Sequence, residues 1–216
     1  MYDIFFICYD ESNRIHNWNR VVELHPNAKM VCGITDIAKA HLKCNELCTT
    51  DRFWTIDGDN WLLDRLSIED DYKEDLLFFD AIDPIDNHIS TIGGVKLWKK
   101  NSFINTTMSK GDFCKYATES YKVIHKKLSI HKYDNTPEEA WRHTFRHIVK
   151  SLTGIISKEV LEDNLNRAKE HKHLNPHSYR GYLDALKYVE ECGEDFDKIN
   201  LINDYDWLSL KCANKV

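Results

Sequence analysis

The chain has 216 residues, 42% of them hydrophobic, and a formal net charge of −6. That length suits one sizeable domain; no apolar run is long enough to span a bilayer, and no basic N-terminal region leads into an apolar core and cleavage site, so a soluble cytoplasmic protein is expected. The seven cysteines are an odd number scattered among apolar positions such as Cys8, Cys32 and Cys44, without a CxxC pair, which speaks against a disulfide scaffold or a zinc ribbon.

Ile4 to Tyr9 is a continuous apolar run that stops in the polar Asp10-Glu11-Ser12-Asn13, the pattern of a parallel strand covered on both faces. Trp18, Val21, Val22 and Leu24 line the inner side of a short helix, and Lys29 to Ile34 is a second strand. Thr35 or Asp36 caps a helix on which Ile37, Ala40, His41, Cys44, Leu47 and Cys48 recur at helical spacing. A third strand, with Phe53, Trp54 and Ile56, ends abruptly in Asp57-Gly58-Asp59. This alternation predicts an α/β sheet with parallel strands, whose ligands bind beyond the strand C-termini.

Leu76 to Ala81 reads as a further strand, and Gly93-Gly94 precede another ending at Trp98. Paired glycines serve a turn, a bulge or the close approach of a ligand. The last half reads as mostly helical, with helix starts at Thr136-Pro137 and Ser178 and a C-cap at Gly193. The expected organisation is a single domain over residues 1–216, with an α/β half over 1–97 and a largely helical half over 98–216.

Charge is unevenly spread. Residues 1–95 hold 8 Lys/Arg against 18 Asp/Glu, whereas residues 96–158 hold 13 against 5. The basic block is either a polyanion-facing surface or a solvated face balanced by its acidic neighbour.

The acidic turn carries the sharpest chemical suggestion. Two carboxylates one residue apart at a strand end, Asp57 and Asp59, can converge on one hard cation, Mn²⁺ or Mg²⁺, and through it hold a diphosphate; a plain acidic turn is the bland alternative. Asp10 and Glu11 would lie beside a nucleotide, where carboxylates accept from imide and ribose groups, and Thr35 and Asp36 follow the second strand at the same edge. Lys96 is either a phosphate contact or part of the basic surface. Arg142 and Arg146, four apart on a helix, could reach one phosphate-rich ligand, or make ordinary salt bridges. Thr136-Pro137-Glu138-Glu139 is a capping box that accounts for Glu139 and leaves Glu138 unexplained. His143 and His147 share the i, i+4 spacing of metal ligands without a third ligand in view.

The segments YDES (9–12) with Asn17-Trp18, GITDIAKAH (33–41), FWTIDGDN (53–60), PIDNHISTIGGVKLW (84–98), TPEEAWRHTFR (136–146) and INDYDWL (202–208) together resemble glycosyltransferases encoded by tailed bacteriophages of the T-even type. The resemblance implies a GT-A (nucleotide-diphospho-sugar transferase) fold. It also implies a metal-dependent transfer of sugar from a nucleotide-sugar, such as a UDP-sugar, to hydroxymethylated pyrimidines in double-stranded viral DNA. Under it, Glu138 is the first choice for general base with Glu139 in reserve, Gly93 and Gly94 let backbone approach the sugar, and His173 or His171 supplies a third metal ligand. A sugar nucleotidyltransferase and a non-catalytic nucleic-acid-binding module are the alternatives; the first would want a glycine-rich basic loop where Tyr9-Asp10-Glu11-Ser12 stands.

Overall fold

The structure, a computed structural model, describes residues 2–104, 113–154 and 158–213. It divides into two compact units, Met1–Lys132 and Tyr133–Val216. No helix among the described residues is long and apolar enough to cross a membrane.

The first unit is built on one sheet. Its elements are β1 (Asp3–Cys8), α1 (Arg14–Leu24), β2 (Lys29–Cys32), α2 (Ile37–Leu47), β3 (Arg52–Asp57), β4 (Asn60–Leu62), β5 (Leu76–Ile82), β6 (Ile89–Ser90), β7 (Val95–Lys99), α3 (Phe113–Tyr116) and β8 (Tyr121–His131). The order across the sheet is β2-β1-β3-β7-β5-β8-β4, with β6 paired to β5. β1 lies parallel to both β2 and β3, β7 runs antiparallel between β3 and β5, and β5 is parallel to β8. The expected α/β class is therefore what the chain adopts, with antiparallel members added to the parallel start.

Both faces are covered, which is why the strands read as unbroken apolar runs. Phe5, Ile7, Phe53, Phe78 and Trp98 pack on one face with Ala40 and Cys44 of α2. Ile4, Phe6, Trp54, Ile56 and Phe79 pack on the other with Val21 of α1. Of the expected stripes, Trp18, Val21 and Leu24 on α1 and Ile37, Ala40, Cys44 and Cys48 on α2 pack against the sheet, whereas Val22 lies outside the core clusters and Leu47 is exposed.

β8 lies in the stretch expected to be mostly helical. Exposed residues such as Lys122, Lys126 and Lys127 interrupt its apolar content, so its own pattern is weak; seven register pairs with β5 hold it, with a bulge around Asp80. β4 pairs only with Ser129–His131. Along Tyr121–Lys127 no strand is paired to the outer side among the described residues, and the lysines there meet the 63–74 segment through side chains: Lys126 Nζ donates to Ser67 O (3.4 Å), and Lys122 lies over the Tyr72 ring.

The second unit consists of α4 (Pro137–Leu152), α5 (Lys158–Leu174), α6 (Pro176–Cys192), α7 (Phe196–Asn200), a 3-10 turn (Leu201–Asn203) and α8 (Tyr205–Ala213). Trp141, Phe145 and Ile148 of α4 form its core with Tyr182, Tyr188 and Leu208. Thr136 caps α4 as expected, accepting from the Glu139 amide at 3.1 Å. α6 begins at Pro176, two residues before the expected Ser178: Asn175, its cap, accepts from the amides of His177 and Ser178, and Pro176 occupies the first turn, a stronger start signal than the serine. Gly193, at φ 56°, ends α6 as expected. Gly181 has no substitute, because a Cβ there would come within 2.5 Å of Trp141 O.

Candidate functional site

β1, β2 and β3 run parallel, so their C-terminal ends share one edge of the sheet. There β1 delivers Asp10 and Glu11, β2 delivers Thr35 and Asp36, and β3 delivers Asp57 and Asp59. This is the edge at which open α/β sheets bind ligands.

Asp57 ends β3, and its amide donates to Gly94 O at 2.9 Å. One carboxylate oxygen, Oδ2, accepts from Lys96 Nζ at 2.7 Å. The other, Oδ1, is buried without a hydrogen-bond partner among the described residues. Lys96 stands on β7 opposite Thr55 and is 5% exposed, so it is an interior cation and not part of the basic surface. Asp59 is held by three groups: His131 Nε2 lies 2.9 Å from Oδ2, Asn60 Nδ2 donates to Oδ1 at 2.8 Å, and Lys132 N donates to its carbonyl. Asn60 is fully buried and accepts from Ser129 Oγ at 2.8 Å, which fixes the amide that fixes Asp59.

These charges act as one cluster. Burial alone would raise the Asp59 carboxyl, but the His131 charge and hydrogen bond, with help from Lys96, bring it down to about 2. Burial would likewise lower His131, and Asp59, Asp57 and Asp83 overrule it and push the imidazole up. Glu11 has the opposite fate. Desolvation, and then the Asp59 charge, raise its carboxyl to about 7, although Oε2 accepts from the Tyr9 amide at 2.8 Å. A Cβ at Gly58 would come within 2.8 Å of that Glu11 oxygen, and the Gly58 carbonyl accepts from the fully buried Asn17 of α1 at 2.8 Å.

The remaining expected residues are placed as follows. Asp10 and Thr35 are exposed. Asp36 caps α2, accepting from the Ala38 and Lys39 amides, which is its structural reading. The space beside Gly93 and Gly94 is filled by the protein's own atoms: a Cβ on Gly93 would lie 2.7 Å from Phe79 O, and one on Gly94 2.1 Å from Asn60 Nδ2.

In the second unit, Glu139 accepts from Thr136 Oγ1, and Glu138, exposed, accepts from Ser209 Oγ at 2.6 Å. Arg146 donates to Ile202 O, Asn203 Oδ1 and Tyr205 Oη, and Arg142 is buried with its guanidinium over the Tyr205 ring, so both arginines brace the turn into α8. His143 and His147 stack with rings nearly parallel at 6.0 Å. His171 is buried against Ser178, and His173 is exposed at the end of α5.

Sequence reasoning missed His131 and Asn60. Asn60 belongs to the quoted acidic segment but looks like part of its turn, and His131 sits at the end of the unrecognised strand β8.

No family model matches the chain, and no curated protein matches it. Several solved structures are similar to it, two of them to the following extent. HddC from Yersinia pseudotuberculosis is similar at a TM-score of 0.37 and 16% identity, over 58% of this chain and 71% of that one. The mannosyltransferase PcManGT from Pyrobaculum calidifontis, solved in complex with GDP-Man and Mn2+, is similar at a TM-score of 0.38 and 11% identity, over 97% of this chain and 81% of that one.

The donor set sets a condition on any metal. No group of three His, Cys, Asp or Glu among the described residues is arranged to hold one. Asp57 and Asp59 offer carboxylate oxygens, and the unpartnered Asp57 Oδ1 is suited to a hard cation, so the residues fit a cation that takes its other ligands from a bound diphosphate and water.

Proposed function

We propose that the chain is a GT-A-like glycosyltransferase whose first unit binds a nucleotide-sugar at the carboxyl edge of the sheet. The observation that carries this reading is the pair Asp57 and Asp59 at the end of β3, with one buried carboxylate oxygen left without a partner. Lys96 and His131 already balance the two carboxylates. A diphosphate therefore meets little net positive charge unless it arrives with a divalent cation, Mn²⁺ or Mg²⁺.

When bound, that cation supplies charge neutralisation for the departing nucleoside diphosphate. The protein's own residues do the rest. Asn60, Ser129 and His131 hold Asp59 in one orientation, and the Asp57 amide bonded to Gly94 O fixes the turn from behind. Lys96 lends a fixed positive charge beside Asp57, where it can share the negative charge that develops on the leaving group. Asp10 and Glu11 lie where the nucleoside would be read. Glu138, exposed on the first turn of α4, is the proposed base that takes the proton of the acceptor hydroxyl.

The finer reading is a UDP-sugar donor and a hydroxymethylated pyrimidine in double-stranded DNA as acceptor; what supports it is the resemblance of the quoted segments to T-even phage enzymes. The test is incubation with a panel of nucleotide-sugars and Mn²⁺ or Mg²⁺, with hydroxymethylated duplex as acceptor, followed by mass spectrometry of the nucleosides. Release of the nucleoside diphosphate with glycosylated nucleoside supports both levels. Release with sugar on another acceptor keeps the transferase and removes the DNA, and no release from any donor removes the transferase.

A further inference from the structure

Cys8 and Cys32 are register partners at the C-terminal ends of the neighbouring parallel strands β1 and β2. Parallel neighbours lie roughly 4.8 Å apart, within the Cα separation of about 4.4–6.8 Å that a disulfide spans. Strand alternation puts both thiols on the same face: Ile4, Phe6 and Cys8 of β1 join the core cluster against which Met30 of β2 packs, and Cys32 follows Met30 by two residues. Cys32 is exposed and Cys8 is 2% exposed, so one member meets solvent and the other waits behind it. Both are reduced in this structure.

We propose that Cys8 and Cys32 are a peroxide-sensitive dithiol that closes to an intramolecular disulfide beside the acidic turn. The Cys32 thiolate attacks hydrogen peroxide, breaking the O–O bond and giving a sulfenic acid and hydroxide, which takes up the proton that the Cys32 thiol released and becomes water. The Cys8 sulfur then attacks the sulfenic sulfur; the S–S bond forms, the S–O bond breaks, and water leaves with the Cys8 proton. Two thiols are oxidised and one peroxide is reduced to two waters.

The division of labour follows from exposure. Burial, and then the Cys32 thiol, push the Cys8 thiol up to about 12, so it holds its proton and makes a poor first nucleophile. The bond would tie the strand that leads into Glu11 to its neighbour. The Cys8 Cβ is 2.9 Å from where a Gly58 Cβ would stand, which puts the bridge directly behind the turn between Asp57 and Asp59.

The test needs no transferase activity. The full chain is treated with hydrogen peroxide and digested without reductant, and its peptides are mapped by mass spectrometry. The expected result is a linked pair containing Cys8 and Cys32, two mass units lighter than the two reduced peptides, restored by dithiothreitol and accompanied by a rise of several degrees in Tm. Cys32→Ser, at an exposed position, should abolish the link and the Tm rise, and Cys212→Ser should leave both intact. Cys32 oxidised to sulfinic acid with Cys8 still reduced, or Cys32 linked to a second chain, overturns the proposal.

Discussion

The Asp59 carboxylate and the His131 imidazole lie 2.9 Å apart, joining the turn after β3 to the end of β8. The pair has a pH window. The His131 pKa is raised by Asp59, so its stabilisation is whole below the unfolded value of about 6.5 and is lost as pH rises through the folded value. The Asp59 pKa is depressed to about 2, so its share is whole above the unfolded value and is lost as pH falls toward 2. His131→Gln should therefore cost about 1–2 kcal/mol near pH 5.5, with the deficit shrinking as pH rises through the raised His131 pKa and as it falls below about 4. Urea midpoints of both proteins across pH decide it, and a deficit independent of pH contradicts the ion pair.

Glu11 should behave in the opposite sense. Its folded pKa of about 7 lies above the unfolded value, so ionising it costs stability as pH rises from about 4.5 through 7. Glu11→Gln keeps an acceptor for the Tyr9 amide and removes that cost. The variant should match the parent at pH 4 and exceed it by about 1–3 kcal/mol at pH 8. A variant less stable than the parent at pH 8 rules this out.

Substitution at the two aspartates separates structure from chemistry. Asp57→Asn leaves the buried Lys96 ammonium without its anion, so it should destabilise by about 2–4 kcal/mol as well as abolish transfer. Asp59→Asn should abolish transfer too. If a cation shared with the diphosphate is required, excess EDTA should silence the unsubstituted protein while leaving its melting unchanged. Full turnover in EDTA removes the metal from the reaction.

Gly94→Ala would place a methyl group 2.1 Å from Asn60 Nδ2, and Asn60 is pinned between Asp59 and Ser129. We expect a loss of more than about 2 kcal/mol and displacement of Asp59. Thermal melts with nucleotide-binding calorimetry test this, and a variant that melts and binds normally shows that Asn60 can yield.

Glu138 and Glu139 part company by function. Glu139→Gln retains the cap and should leave turnover within a few-fold of the parent, whereas Glu138→Gln should lower it on the order of 10²-fold with little change in stability. Equal, near-normal rates in both would take proton transfer away from α4.

The parallel start of the sheet was legible because each strand there is a long apolar run closed by a polar loop, and α2 because its stripe repeats cleanly at helical spacing. β8 was not legible: its identity comes from pairing with β5, and Lys126 and Lys127 dilute its alternation. The cost fell on the site. Asp57 and Asp59 could be found as a local motif, and read alone they look like two repelling charges. Their counter-ions come from 39 and 72 residues away, and nothing near Lys96 or His131 in the chain announces them. The same holds for Gly93 and Gly94, whose smallness serves Phe79, Ala81 and Asn60.

Along Tyr121–Lys127 the outer side of β8 has no strand paired to it among the described residues, and Lys122, Lys126 and Lys127 are exposed there, the first two also reaching the 63–74 segment. A second chain trying to add its own strand there would have to bring these ammonium groups against their copies and strip their water. That makes the edge a barrier to fibril growth and gives part of the basic middle of the chain a duty in keeping molecules apart. Replacing the three by threonine should leave the fold intact and make concentrated solutions cloud on mild heating.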